Sequence, residues 1–413
     1  MVHDFEHALA QYAETIVRVG LNLRSGQRLV VHAPILAAPL VRRIAESAYR
    51  AGARLVNVVF EDEHLTLIRF QNAPRDSFTE FPAWRARLMD ETFAAQDAYL
   101  RIYAEDPDLL KEQDPGLIAT AQKAAMQHIG PAVARQMRNE SNWCVVSLPV
   151  PSWAARVFPD LSQEQAMQRL WDVIFSVTRL NLSDPVIAWQ EHVRLLGARS
   201  TYLTRKQYDA LHFSGPGTDL TVGLPAGHRW MGGQIRAASG IDFIPNMPTE
   251  EVFTMPHKDR ADGVVRASLP LSYAGALIEN IQLTFRQGRV VDFRADKGQE
   301  ALAHLLEADE GARRLGEVAL VPHSSPISQS GILFYNTLFD ENAASHLALG
   351  KAYQFTMQGG EDMPAEVFQA AGGNHSLMHV DFMIGSAQMD VDGVLEDGNA
   401  EPLMRAGEWV IAA

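Results

Sequence analysis

The sequence predicts an α/β protein in two parts: an N-terminal domain with a mainly parallel sheet covered by helices, then a C-terminal α+β domain with a mixed or antiparallel sheet. Three observations carry this expectation. The chain has 413 residues, more than one ordinary core accommodates. Its first half alternates strand-like and helix-like segments, the pattern of parallel sheets. Its second half places tight-turn residues between short apolar runs, the pattern of hairpins.

Taken in order, Phe5, Leu9, Tyr12, Ile16 and Val19 fall at helical spacing. A strand is expected at Arg28–Ala33, a helix near Pro39–Ala51 with a stop at Gly52, and a second strand at Arg54–Phe60, which together make a βαβ unit. Helical stretches then separate two further strands, Ala98–Tyr103 and Trp143–Pro149. No GxGxxG follows the first strand, so a dinucleotide site is unsupported. Glu61, Asp62, Glu63 and His64 fall just past the second strand, where such sheets bind ligands, but a solvated acidic loop is the plainer reading. The texture changes over residues 195–206, so the boundary is set near 200, giving domains 1–200 and 201–413. Beyond it, Gly215-Pro216-Gly217 joins Leu211–Phe213 to Asp219–Leu224, and Gln287-Gly288 joins Thr284–Arg286 to Arg289–Phe293.

Composition narrows the function. A formal net charge of −14 argues against a nucleic-acid partner, which needs clustered Lys and Arg. The apolar content of 47% and charged content of 21% are those of a water-soluble globular chain. The single cysteine, Cys144, sits in an apolar run; it permits no intrachain disulfide and no thiolate zinc site, and reads as a buried hydrophobe. No secretory block opens the sequence and no apolar run is long enough for a bilayer, so a cytoplasmic location without a membrane partner is expected.

The segment NHSLMHVDFMIGS (374–386) carries the most chemistry. On a strand, His379 and Asp381 point the same way from an apolar wall, and a buried charge must be paired or bind a metal. Candidate partners lie in the same half. Glu250-Glu251 enters a short apolar strand, on which Glu251 shares the face of Phe253; Glu317 begins the strand GEVALVP. His346 and Tyr353 are seven apart and share a face if residues 338–353 stay helical, which Gly350 makes doubtful. Each alone has a plainer reading: a cap or surface acid for Glu317, a hydrogen-bonded core histidine for His346, a packed ring for Tyr353.

Taken together, these segments resemble the M29 peptidases, the group of aminopeptidases T, S and II. The matching stretches are GTDLTVGL (217–224), NMPTEEVFTMPH (246–257), GEVALVPHSSPIS (316–328), TLFDENAASHLALGKAY (337–353) and NHSLMHVDFMIGS (374–386), with LNLRSGQRLVVHAP (21–34) in the first half. The departures are small, such as Met255 where alanine is frequent.

The resemblance implies a metal-dependent aminopeptidase that cleaves the N-terminal peptide bond with a water activated by two metals, in a C-terminal catalytic domain. It implies Glu251, Glu317, His346, His379 and Asp381 as metal ligands and Tyr353 as an active-site residue. It also implies a homodimer acting on peptides with a free N-terminus. Imidazole and carboxylate suit two divalent ions, zinc or cobalt first, with manganese or magnesium also compatible. Five side chains serve two metals only if carboxylates bridge.

Glu250 is a candidate general base, with a solvent-facing strand residue as the equal alternative, and His375 is a candidate for orienting a ligand. Asp219 and Trp230 read as structural, though either could line the substrate site. Two other functions stay open on the residues: a dinuclear amidohydrolase or phosphoesterase, and a catalytically silent metal- or peptide-binding protein.

Overall fold

The alternation of the first half resolves into a four-stranded parallel sheet in the computed structural model, which describes residues 5–411 except 105, 107, 274 and 275. Its strands are β1 (Arg28–Pro34), β2 (Leu55–Glu61), β3 (Ala98–Tyr103) and β4 (Trp143–Ser147), in the order β2-β1-β3-β4. All three pairings are parallel. β1 is central and buries Leu29, Val30, Val31 and Ala33, as a strand covered on both faces must. Helix α1 (Phe5–Thr15) buries Leu9 and Tyr12. Helix α2 (Ala38–Arg50) buries Leu40, Val41, Ile44 and Ala48, one stripe at helical spacing, and has Pro39 in its first turn. The chain then turns through Gly52 at φ 91° into β2. β2 lies at the sheet edge and leaves Leu55, Val58 and Phe60 exposed.

This compact unit comprises the residues up to Glu191 together with 234–248; the second holds 192–233 and 249 onward. The division falls within the helix Pro185–Lys206, and the single boundary expected at 200 lies in that same helix.

The second unit is antiparallel, as its turns predict. An eight-stranded sheet carries both expected hairpins, Ala210–Gly215 with Thr218–Gly223 and Gln282–Arg286 with Arg289–Arg294. In the latter turn Gln287 and Gly288 both have positive φ, 48° and 75°, the signature of a tight hairpin turn. A Cβ on Gly288 would stand 1.9 Å from the Lys258 carbonyl oxygen, so only glycine fits.

A five-stranded sheet completes the unit: β5 (Met231–Gly232), β6 (Val252–Thr254), β7 (Leu315–Leu320), β8 (His346–Gly350) and β9 (His379–Met383), in the order β9-β8-β7-β6-β5. Every pairing is antiparallel. Val252, Val318, Leu320, Leu347, Leu349 and Phe382 enter the core of this unit. The intervening residues therefore point to the opposite face.

The structure also decides the conditional reading of residues 338–353. Residues 338–353 do not stay helical: a short helix, Thr337–Asp340, and a single turn, Glu341–Ala343, give way to strand β8 at His346. The alternation His-Leu-Ala-Leu-Gly buries its leucines with period two, and this outweighs the helix propensity of an alanine-rich segment. Among the described residues no helix is long and apolar enough to cross a membrane.

Candidate metal centre

The polar face of the five-stranded sheet is set by register. Residues directly opposite on paired strands share a face, and Ala348 of β8 lies opposite both Glu317 of β7 and Asp381 of β9. His346 lies opposite Ala319, and His379 opposite Gly350. Glu317, His346, His379 and Asp381 therefore project from one surface, and the positions between them are alanine or glycine. That spacing leaves room between the ligating atoms. Glu251, which precedes β6, has the parity of Phe253, whose partner is Ala319 of the same face.

Close strand approach depends on a bulge between Leu315 and Glu317. A Cβ on Gly316 would stand 2.4 Å from the Gly350 carbonyl, and one on Gly350, at φ 103°, would stand 2.2 Å from that of Met378. Side chains are excluded at both positions, and the bulge re-aims Glu317.

The side chains converge in two groups that share one residue. Glu251, Glu317 and His346 each bring a ligating atom within 4.8 Å of the others, and so do Glu317, His379 and Asp381. The two oxygens of Glu317 divide between the groups: Oε1 is 3.5 Å from His346 Nε2, and Oε2 is 3.8 Å from His379 Nε2. Glu251 Oε2 is 3.1 Å from His346 Nε2, and Asp381 Oδ1 is 3.4 Å from His379 Nε2.

Both imidazoles are fixed from behind. His346 Nδ1 is 3.0 Å from the Ala344 carbonyl and His379 Nδ1 is 2.7 Å from that of Lys351. A carbonyl only accepts, so each Nδ1 carries a proton and each Nε2 turns toward the cluster. In a neutral His346, Nε2 and Glu251 Oε2 are then two lone pairs facing each other. Glu251 Oε2 and Asp381 Oδ1 are indeed buried without a hydrogen-bond partner. Such a contact needs a cation or a proton between its atoms.

The protonation balance expresses the same excess of negative charge. Burial pulls down the basicity of His379, but Asp381 and Glu317 outweigh it and push its pKa up to about 10. For His346 burial is likewise outweighed, by Glu251 and Glu317, and its pKa rises well above the ordinary value. Burial pushes the Glu317 carboxyl up, whereas Asp381 is held below its usual value despite burial by the charge of His379.

Tyr353, beyond the end of β8, lies against His379, with ring centroids 4.7 Å apart and planes tilted by 39°. Burial first, then the charges of Glu317, Asp381, Glu341 and Glu251, hold its hydroxyl protonated. It reaches the site through the turn after Gly350 and not by helical spacing.

Two residues were not anticipated from the sequence. The carboxyl of Glu341 is raised well above its ordinary pKa by burial and by the charges of Glu251 and Asp381. Asn342 is fully buried: its Oδ1 accepts the Glu250 N–H at 2.7 Å, and its Nδ2 approaches Glu341 Oε1 at 3.5 Å. Asn342 thereby joins the backbone beside Glu251 to Glu341. Only the unusual polar run Asp340-Glu341-Asn342 ahead of an apolar strand signals this pair in the sequence.

The structure brings together Glu251, Glu317, His346, His379, Asp381 and Tyr353. Glu250 is buried and turned to His192, whose Nε2 lies 3.5 Å from its carboxylate and also donates to the Thr249 carbonyl. His375 is exposed, Asp219 is exposed and pairs with His212, and Trp230 lies in the core. Cys144 is buried, with its thiol pKa raised by desolvation.

The fold and this buried carboxylate–imidazole site define the class of a metal-dependent hydrolase. Residues 5–409 match the family described as thermophilic metalloprotease (M29). The chain is 51% identical over 408 residues to aminopeptidase 2 of Geobacillus stearothermophilus, covering 99% of both chains. It is 48% identical over 407 residues to aminopeptidase T of Thermus thermophilus, covering 98% of this chain and 99% of the relative. The solved structure titled wild-type AmpT from Thermus thermophilus superposes with a TM-score of 0.93 at 47% identity, over 99% of this chain and 100% of that one. The chain belongs to the M29 metalloprotease family and is a metallo-aminopeptidase.

Proposed function

We propose that the protein removes N-terminal residues from peptides at a centre of two divalent metals. The observation that carries this reading is Glu317, whose two oxygens face two different imidazoles, each backed by a further buried acid. Glu251 and His346 would hold one ion and His379 and Asp381 the other, with Glu317 common to both groups. The orphaned oxygens of Glu251 and Asp381 fit that assignment. Zinc or cobalt suits the donor set best, and manganese or magnesium remains compatible. Bound there, the ions supply Lewis acidity that polarises the scissile carbonyl and lowers the pKa of water toward ~7, with positive charge to receive the free α-amino group's lone pair.

The chain's own groups do the rest. Tyr353, held protonated, donates its hydroxyl to the oxyanion that develops on the carbonyl oxygen. Glu341 is the buried acid we assign as general base, receiving the proton of the attacking water and passing it to the leaving amine. Glu250 was the other candidate; its turn toward His192 suits it to holding the loop that presents Glu251. A homodimer is part of the proposal. The exposed edge of β2, with Leu55, Val58 and Phe60, continues into Leu65 and Ile68, and an apolar strand edge pairs readily with its own copy. Light scattering of Phe60→Lys should then report a monomer where wild type reports a dimer.

The function is tested with paired peptides, one unblocked and one N-acetylated, with and without chelator. Release of free amino acids from the unblocked peptide alone, abolished by chelator and restored by cobalt or zinc, is expected. Cleavage of phosphoesters or internal amides in its place would favour another dinuclear hydrolase. No turnover after metal is restored would leave a silent binding protein.

A further inference from the structure

Three aromatic rings border the metal-ligating cluster. The Tyr353 and Phe355 rings stack with centroids 5.3 Å apart, and Phe355 meets Phe253 edge-on at 6.2 Å. Since Tyr353 also lies against His379, the rings form a continuous arc from β9 to β6. Register places Phe253 on the reaction face, because it lies opposite Ala319, which lies opposite His346. With strands ~4.8 Å apart, Phe253 stands about 10 Å across the sheet from His346, and only the methyl of Ala319 intervenes. On its other side Phe253 pairs with Met231, which extends the apolar surface.

The arc is not sealed inside the core. The large core aromatics of this unit, such as Phe213, Phe285 and Phe339, are at most 1% exposed, whereas Phe253 and Phe355 are left half-buried. Neither carries a charge, and Tyr353 links both to a site otherwise built of carboxylates and imidazoles. A substrate that places its α-amino group and first carbonyl at the acid cluster must direct its first side chain somewhere, and this apolar shelf is contiguous with that position.

We infer that Phe253 and Phe355 form the subsite for the side chain of the substrate's first residue, and that it selects large apolar side chains such as leucine and phenylalanine. The inference rests on the aminopeptidase reading above. Apolar pockets of this kind discriminate by about 10- to 200-fold per missing methylene.

The test compares kcat/KM on leucyl, phenylalanyl and alanyl amides for wild type, Phe253→Ala and Phe355→Leu, with metal content measured for each. Wild type should prefer leucyl and phenylalanyl over alanyl by about tenfold or more, and Phe253→Ala should erase most of that ratio. Phe355→Leu keeps an apolar side chain while removing the ring and should lower the phenylalanyl-to-alanyl ratio by a smaller factor. The ratio is the informative readout, because any disturbance of Tyr353 slows all three substrates alike. Equal rates on alanyl and leucyl amides in wild type, or a Phe253→Ala ratio within about twofold of wild type, would overturn the subsite. If wild type releases nothing from any amide, the aminopeptidase reading itself falls. The subsite is then judged by calorimetric affinity for free leucine over free alanine: the preference must be present in wild type and shrink in Phe253→Ala, and otherwise the subsite falls too.

Discussion

In the parallel sheet of the first unit, Glu61 at the end of β2 lies 2.9 Å from His32 Nε2, 2.9 Å from Arg85 and 3.6 Å from Arg101. In the five-stranded sheet of the second, Glu317 faces two imidazoles with Glu251, Asp381 and Glu341 around it. Both are carboxylate–imidazole clusters on β-strands, and residue type alone would rank them equally as metal sites. Counter-charge separates them. His32 first, then Arg101 and Arg85, hold the Glu61 carboxyl down at about 2, so that cluster is neutralised from within. The acids of the second have only imidazoles as ion-pair partners among the described residues, and burial drives the carboxyl of Glu317 up. A buried acidic cluster without arginine or lysine is one that a cation completes.

That contrast can be broken by substitution. Glu317→Ala should have the largest effect, a loss of kcat/KM on the order of 10⁴-fold, because one side chain serves both ligand groups. Tyr353→Phe should lose about 10²- to 10³-fold in kcat while metal content stays at the wild-type value; normal turnover would remove the assigned role. Glu61→Gln should leave activity per folded molecule near wild type but cost about 1–3 kcal/mol in denaturant unfolding, since it removes the negative charge that faces His32, Arg85 and Arg101. Glu317→Gln in chelated protein should cost nothing or stabilise, because it removes a desolvated acid. A similar loss from both glutamine substitutions would dissolve the distinction between the clusters.

The smallest effect is in the pH dependence of metal-free stability. His379 is raised from 6.5 to about 10. Its contribution is therefore fully present below pH 6.5 and is lost as pH rises toward about 10. Glu61 is lowered from 4.5 to about 2, so its contribution is present above pH 4.5 and is lost as pH falls toward about 2. Unfolding of chelated protein across both windows should show the alkaline loss vanish in His379→Gln and the acid loss vanish in Glu61→Gln. Protons and metal compete for the same imidazoles, so loading should flatten the alkaline limb alone.

Local pattern was readable in the sequence where one element decides the outcome. Ala98–Tyr103 is a strand with the bounds its apolar run suggests, and His379 and Asp381 share a face because strand alternation is a property of adjacent residues. The Gln287-Gly288 turn is read the same way. Convergence was not readable. Whether Glu317 and Asp381 flank Ala348 depends on register across three strands and on a bulge at Gly316, and nothing within any one segment encodes that. The family resemblance supplied the candidate ligands that spacing could not. Glu341 and Asn342 were missed because a polar turn looks solvated until tertiary packing buries it. The return of residues 234–248 to the first unit likewise has no compositional mark.

Elemental analysis of protein loaded with zinc and freed of excess metal tests the central claim most directly, with wild type, Glu317→Ala and Glu61→Gln side by side. The account predicts two ions per chain in wild type and in Glu61→Gln, and essentially none in Glu317→Ala. Full occupancy in Glu317→Ala, or loss of metal from Glu61→Gln, would contradict it.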